Sequence, residues 1–356
     1  MLILGVQSLF SCLPHTLNIA WRKGGRSMVS ILSIDGGGIR GIIPAAFLAE
    51  IERLTGKPVS GLFDLVAGTS TGGLLACALT VPDARGKPKH TARQIHAAYL
   101  EHGGAIFHRG MLRKAATLGG LTGPKYSPRA LERWLAEYLG SARLHETLAD
   151  ILVTAYDMAS STPWFFKTTF AKTHRGPEDD PLLAQAAYAT AAAPTYFPPL
   201  ALESLCLIDG GVFASNPAMC AYAEARKLHP YEKDFLLVSL GTGVHVQNRP
   251  CAKIERWGVA NWAVPITDVM LNSSSATVDY QLRQILGDES YARFQTRLPA
   301  EAAAMDDASR ENLVRLELIA KKAVEDNSAQ LERVCRMLSG KMKLFPARER
   351  VFVSRA

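Results

Sequence analysis

Residues 33–41 read SIDGGGIRG, at the end of the apolar run VSILSI (29–34), which has the composition of a buried strand. Glycines 36, 38 and 41 satisfy the G-x-G-x-x-G spacing of a dinucleotide-binding turn. The same residues could instead offer a bed of backbone N–H groups to an oxygen that becomes negative during catalysis. The stretch IIPAAFLAEIERLTG (42–56) follows with helical spacing and stops at Gly56. A second unit repeats the order, with FDLVAG (63–68), a tight turn, and the helix-like TSTGGLLACAL (69–79). Strand, turn and helix twice over is the pattern of a parallel sheet covered by helices.

Working outward, DILVTAYDM (150–158), WFFKTTF (164–170), SLCLID (204–209) and DFLLVSL (234–240) are further strand candidates. YSPRALERWLAEYLG (126–140) reads as a helix with Ser127 as cap and Pro128 at its first position. LLAQAAYATAAAP (182–194) is an Ala-rich helix stopped by Pro194. From residue 265 the pattern turns helical, broken by a short SYARFQTRL (290–298), with two helices between 308 and 338. There is no internal repeat and no low-complexity linker. The expected organisation is an N-terminal extension (1–28), one α/β body (29–340) and a basic tail (341–356). Within the body, a catalytic core of about 29–245 precedes a helical remainder of about 260–340.

The chain has 356 residues, 48% hydrophobic and 21% charged, an ordinary globular balance. No apolar run approaches the roughly 18 residues of a membrane span, so a soluble protein is expected. MLILGVQSLFSCLP (1–14) is apolar but has no basic residue before it, a poor secretory signal. The six cysteines form no C-x-x-C pair, which points away from a disulfide framework or zinc site and toward a reducing compartment. The net charge of +7 is uneven. Arg22, Lys23 and Arg26 put +3 near the start, residues 336–356 carry +5, and the remainder is close to −1. Basic ends of this kind either favour contact with an anionic membrane surface, with nucleic acid the other possible partner, or are solvated tails with no partner.

Residues 68–72 read GTSTG, a G-x-S-x-G turn in the required strand–turn–helix setting. Serine held in such a strained turn projects its hydroxyl, and the helix N-terminus after it adds partial positive charge. Ser70 is therefore the candidate nucleophile, with Gly68, Thr69, Thr71 and Gly72 forming its elbow. A dinucleotide site needs an acid about 20 residues beyond the glycines, at the tip of the next strand. Position 56 is Gly, and the next strand ends in GTSTG. The loop is thus read as an oxyanion cradle built from Gly36, Gly37, Gly38 and Gly41. Arg40 either orients the loop or makes a surface salt bridge.

Serine needs a base. Asp157 and Asp209 both close apolar strands, and Asp209 is followed by Gly210 and Gly211, which admit a close backbone or ligand. Apolar neighbours would raise its proton affinity, which suits a base. His245, after SLGTGV, leaves open a Ser–Asp–His order.

Taken together, DGGGIRG (35–41), GTSTG (68–72), TAAAPTYFPP (190–199), DGG (209–211), SNP (215–217) and SLGTG (239–243) make the chain resemble the patatin-like phospholipase family over about residues 29–340. The resemblance implies a three-layer α/β/α fold with a mostly parallel central sheet and a helical C-terminal part. It implies lipid acyl hydrolysis by a Ser–Asp dyad, carried here by Ser70 and Asp209, with Gly37 and Gly38 in the oxyanion hole. It implies no cofactor and no calcium in the chemistry. The third motif is D-G-G where many members have D-G-A, which adds backbone freedom and keeps the carboxylate.

Length and C-terminal region also resemble bacterial members that a cyclic dinucleotide switches on in anti-phage signalling, which would place the protein in the cytoplasm, peripheral at the inner membrane when active. The alternatives are a constitutive lipase or esterase, an acyltransferase, and a non-enzymatic nucleotide-binding protein on a degenerate hydrolase fold. Transacylases usually carry His before the nucleophile, where this chain has Thr69. Finally, GGAIFHRGMLRKAATLGGLTGPK (103–125) mixes apolar and basic residues between glycines and is read as a membrane-docking lid or an ordinary surface loop.

Overall fold

The computed structural model describes residues 28–107, 122–262 and 265–340. Eight strands form one sheet: β1 (Val29–Ile34), β2 (Leu65–Gly68), β3 (Asp150–Asp157), β4 (Thr162–Lys167), β5 (Leu200–Leu202), β6 (Leu205–Asp209), β7 (Phe235–Leu240) and β8 (Tyr291–Phe294). Their order is β5-β6-β3-β2-β1-β7-β8, with β4 also paired to β3. The centre is parallel, from β3 through β2, β1 and β7 to β8, while β4, β5 and β6 run antiparallel to their neighbours. The fold is the expected α/β/α sandwich with a mostly parallel sheet.

Alternation along each central strand sorts side chains to two buried faces. Leu32, Ile34, Val66, Leu236 and Val238 point to one face. Val29, Ile31, Leu65, Ala67, Phe235 and Leu237 point to the other. The first face is covered by helices Ile42–Thr55, Thr71–Thr80, Ala92–Ile106, Pro128–Leu139, Leu183–Ala191, Arg310–Asp326 and Ser328–Leu338. The second lies under Ala218–Leu228 and Pro265–Ser290. Both faces are buried, so the central strands are rich in apolar residues, and each fully buried Ile or Leu contributes about 1.5–3 kcal/mol. The helix at 128–139 starts as its sequence dictates: Ser127 Oγ accepts the Arg129 N–H and Pro128 occupies the first turn.

One expectation is corrected here. The strand expected over 164–170 ends at Lys167, and Thr168–Ala171 is a short helix. The Thr168 hydroxyl is buried, bonded to the Thr147 hydroxyl at 2.7 Å and to the Ile151 N–H at 3.1 Å, and these bonds turn the chain off the sheet. The short break expected at SYARFQTRL in the otherwise helical region after 265 contains β8, which pairs in parallel with β7 and closes that edge of the sheet.

The register sets up the site. Gly68 of β2 pairs with Val153 of β3, and Asp209 of β6 pairs with Ala155, two residues further along β3. Ser70 lies two residues beyond Gly68. Strand β6 thus runs antiparallel into the ground just past the tip of β2, and its last residue meets the turn that β2 feeds.

Candidate active site

Ser70 has φ +54° and ψ −124°, a conformation that non-glycine residues rarely adopt. The turn around it closes too tightly for side chains. A Cβ at Gly68 would lie 2.2 Å from the Gly72 carbonyl oxygen, and one at Gly72 would lie 2.1 Å from that of Ile34. Polar contacts hold the strained turn. The Thr190 hydroxyl accepts the Ser70 N–H at 2.8 Å. Thr69 donates its hydroxyl proton to the Ala214 carbonyl (2.7 Å), so the Thr154 hydroxyl, also at 2.7 Å, is the donor toward Thr69. The Thr71 hydroxyl is bonded to that of Tyr99 and faces Gly41, joining the elbow to the glycine loop.

Asp209 ends β6 and is 5% exposed. Its carboxylate accepts the Gly211 N–H at 2.7 Å and interacts with the Ser70 hydroxyl. Burial raises its pKa from the ordinary carboxylate value to about 7, against the opposing effect of those two donors. Gly210 packs against Thr154 on β3, the residue that also braces Thr69. The other two candidates stay apart from Ser70. The Asp157 carboxylate is taken up by the Ser160 hydroxyl and the backbone N–H groups of Ala159, Ser160 and Cys206, as in a turn. His245 Nδ1 lies 3.0 Å from the Leu298 carbonyl oxygen.

The glycine loop reaches the same spot. The Gly36 N–H is bonded to the Ser215 carbonyl at 2.9 Å and its carbonyl accepts the Thr242 hydroxyl at 2.7 Å. Gly37 and Gly38 open a 3-10 turn, and among the described residues their N–H groups donate to no protein acceptor. Gly38 has φ +58°, and a Cβ there would meet the Met305 carbonyl oxygen at 2.1 Å. That same carbonyl accepts the Ile39 N–H at 2.8 Å. Among the described residues Arg40 makes no salt bridge. It is 8% exposed, and its guanidinium donates to the carbonyls of Gly37 (3.3 Å) and Ala303 (3.1 Å). Burial lowers its pKa to about 10, with Asp268 opposing. Arg40 therefore orients the loop.

Several residues of this arrangement escaped the sequence reading. Thr190 and Thr242 lie inside the stretches TAAAPTYFPP and SLGTG, where their hydroxyls were the available signal. Thr154, Met305 and Arg293 carry no motif. Arg293 reaches from β8 to the Asp35 carboxylate (2.8 Å) and the Ser239 hydroxyl (2.7 Å) beneath the loop. Among the described residues, no group of three or more His, Cys, Asp or Glu is placed to hold a metal ion.

A turn-held serine next to a buried carboxylate, with N–H groups beside it that have no acceptor among the described residues, is an acyl-transfer geometry. Comparison with known proteins gives the lineage: residues 32–222 match the family Patatin-like phospholipase. The chain belongs to the patatin-like phospholipase family. Patatin-like protein 2 of Oryza sativa subsp. indica is 33% identical over 349 residues, covering 86% of this chain and 86% of the relative. Patatin-like protein 2 of Arabidopsis thaliana is 36% identical over 329 residues, 81% of this chain and 80% of its own. Probable inactive patatin-3-Kuras 1 of Solanum tuberosum is 33% identical over 362 residues, 89% of this chain and 94% of its own. Membership places this patatin-like chain among lipid acyl hydrolases in general. A relative named as inactive makes the state of the site in each chain the deciding matter.

Proposed function

We propose that the chain is a serine lipid acyl hydrolase that cleaves fatty-acyl esters of membrane phospholipids through a Ser70–Asp209 dyad. One observation carries this reading: the strained-turn serine Ser70 and the buried Asp209, whose pKa burial raises to about 7, are close enough to interact through their side chains. Asp209 takes the Ser70 proton as Oγ attacks the ester carbonyl. The oxyanion is received by the Gly37 and Gly38 N–H groups, each donor worth ~2.7–4 kcal/mol at the transition state. Protonated Asp209 then returns its proton to the leaving alkoxide of the lyso-lipid. In the second step Asp209 deprotonates a water, which attacks the acyl-Ser70 ester, and the fatty acid departs as Oγ recovers the proton.

The experiment is hydrolysis of phospholipid vesicles by the purified protein, followed by mass spectrometry, alongside labelling of Ser70 with a fluorophosphonate. Release of fatty acid that is lost in Ser70→Ala and Asp209→Asn supports the dyad, and near-native turnover of either variant removes it. A panel of cyclic dinucleotides added to the same reaction separates the finer roles. Stimulation assigns an effector of anti-phage signalling, and equal turnover assigns a constitutive lipase acting from the membrane surface. Failure of the probe to label Ser70 would return the chain to a non-enzymatic reading.

A further inference from the structure

Large apolar side chains are left in solvent most densely on one rim of the molecule. Val246 (66% exposed), Val259 (89%), Ile266, Val269 and Met270 (59%) all fall within residues 246–270. This rim begins at the active site. The Thr242 hydroxyl holds the carbonyl of Gly36 in the glycine loop, and four residues later the chain has emerged at Val246.

The rim is continuous and chemically mixed. His245, Val246, Arg249, Lys253, Trp257 and Pro265 line a shared groove of about 490 Å³. The Arg249 guanidinium lies over the Trp257 ring at 5.9 Å, and Trp257 meets Trp262 edge to face at 5.2 Å. In the helix that starts at Pro265, Ile266, Val269 and Met270 are spaced i, i+3, i+4 and share the outer side. Asp268 falls on the other side, close enough to Arg40 and Tyr196 to perturb both. One helical turn thus faces the oxyanion loop inward and presents three apolar side chains outward.

We infer that the described part of the Val246–Met270 rim is the face by which the protein docks on an anionic phospholipid bilayer, seating the mouth of the Ser70 site at headgroup level. This rests on the proposed hydrolysis of membrane phospholipid. Indole rings, apolar tips and Arg/Lys stems in one patch are the composition that partitions into a headgroup region. Arg249, Lys253 and Arg256 outnumber Glu255 on a body otherwise nearly neutral, which matches anionic lipid. A second copy of the chain fits less well, since a two-fold axis through the patch would set Arg249 and Lys253 against their own equivalents.

The test separates docking from chemistry by measuring binding on the Ser70→Ala protein. Its sedimentation with phosphatidylcholine vesicles containing phosphatidylglycerol is compared with that of the same protein carrying Val259→Asp with Met270→Asp, or Arg249→Glu with Lys253→Glu. The apolar pair should lower the vesicle partition coefficient about tenfold or more. The charge pair should lower it on anionic vesicles and leave pure phosphatidylcholine unchanged. In the Ser70 background both pairs should turn over a soluble short-chain ester within about twofold of the parent. Vesicle binding equal to the parent's in both pairs, no binding by the parent itself, or a change of oligomeric state in place of vesicle binding would overturn the docking face. Absence of soluble-ester turnover in the parent would instead overturn the hydrolase reading, because the binding assay does not depend on it.

Discussion

Arg293 on edge strand β8 grips the carboxylate of Asp35 at the tip of β1 with both ends of its guanidinium, and the two side chains are almost wholly buried. Asp35 is the first residue of the glycine loop. The pair, extended by Ser239 and Ser275, therefore ties the loop to a strand from the far end of the chain. Removing one partner leaves a buried charge alone, at a cost of about 3–5 kcal/mol. Arg293→Met and Asp35→Asn should each lower the melting temperature strongly. The combination Asp35→Leu with Arg293→Met should recover much of that stability while kcat on a soluble ester stays below the parent's, because the fold is repaired and the loop's anchor is not. Calorimetry and steady-state kinetics on the three variants check this.

The raised pKa of Asp209 links activity and stability to pH in opposite directions. A base must be ionised, so kcat/KM should rise with pH and level off above about 7. For stability, the folded state holds a proton in a range where the unfolded chain, titrating near 4, has lost it. This contribution is whole below about pH 4 and is lost as pH rises through about 7. Asp209→Asn should therefore be inactive, match the parent's stability at low pH, and exceed it above pH 7. At about 1.4 kcal/mol per pH unit of displacement, the gain is a few kcal/mol. Denaturant titrations at pH 4.5 and pH 8 measure it.

Thr190 accepts the Ser70 N–H inside the protein, where no water replaces a lost partner. Thr190→Val keeps the volume and removes the acceptor, a change worth about 1–3 kcal/mol. Because the bond holds the nucleophile's own backbone, the expected signature is a lower kcat and slower fluorophosphonate labelling with KM little altered. Thr190→Ser, which restores the hydroxyl, should recover the rate.

His245 Nδ1 sits at the Leu298 carbonyl and contributes nothing to the Asp209 carboxylate. His245→Ala should change ester hydrolysis less than about tenfold, the scale below which general-base loss does not fall. A loss of a hundredfold or more would bring the imidazole into the mechanism. The comparison with Asp209→Asn under identical conditions decides between a dyad and a triad.

Much of this was legible along the chain. Glycine spacing in DGGGIRG and GTSTG, each between an apolar strand and a helical pattern, is local information: a tight turn needs residues without Cβ, and strand and helix periods are read within a dozen residues. The position of Asp209 before two glycines was local too, as were its apolar neighbours. The docking segment expected over 103–125 has its centre, 108–121, outside the described residues. Other features had no local trace. Nothing near WFFKTTF announces that Thr168 turns inward to bond Thr147 and Ile151, and nothing in SYARFQTRL announces an edge strand or an ion pair to residue 35. The Gly36 N–H looked as available as those of Gly37 and Gly38 until Ser215 was found to occupy it.

The primary structure by itself determined the strand–turn–helix units, the layered α/β architecture and the residue types able to do acyl chemistry, since these depend on side-chain period and on backbone freedom at single positions. Tertiary structure decided which groups meet. The registers of β2 and β6 on β3 bring Asp209 to Ser70, Met305 and Arg293 fix the glycine loop from segments more than 250 residues away, and the burial created by that packing moves the Asp209 pKa. Such contacts and desolvation belong to no stretch of sequence, because each arises only when distant segments exclude water from one place.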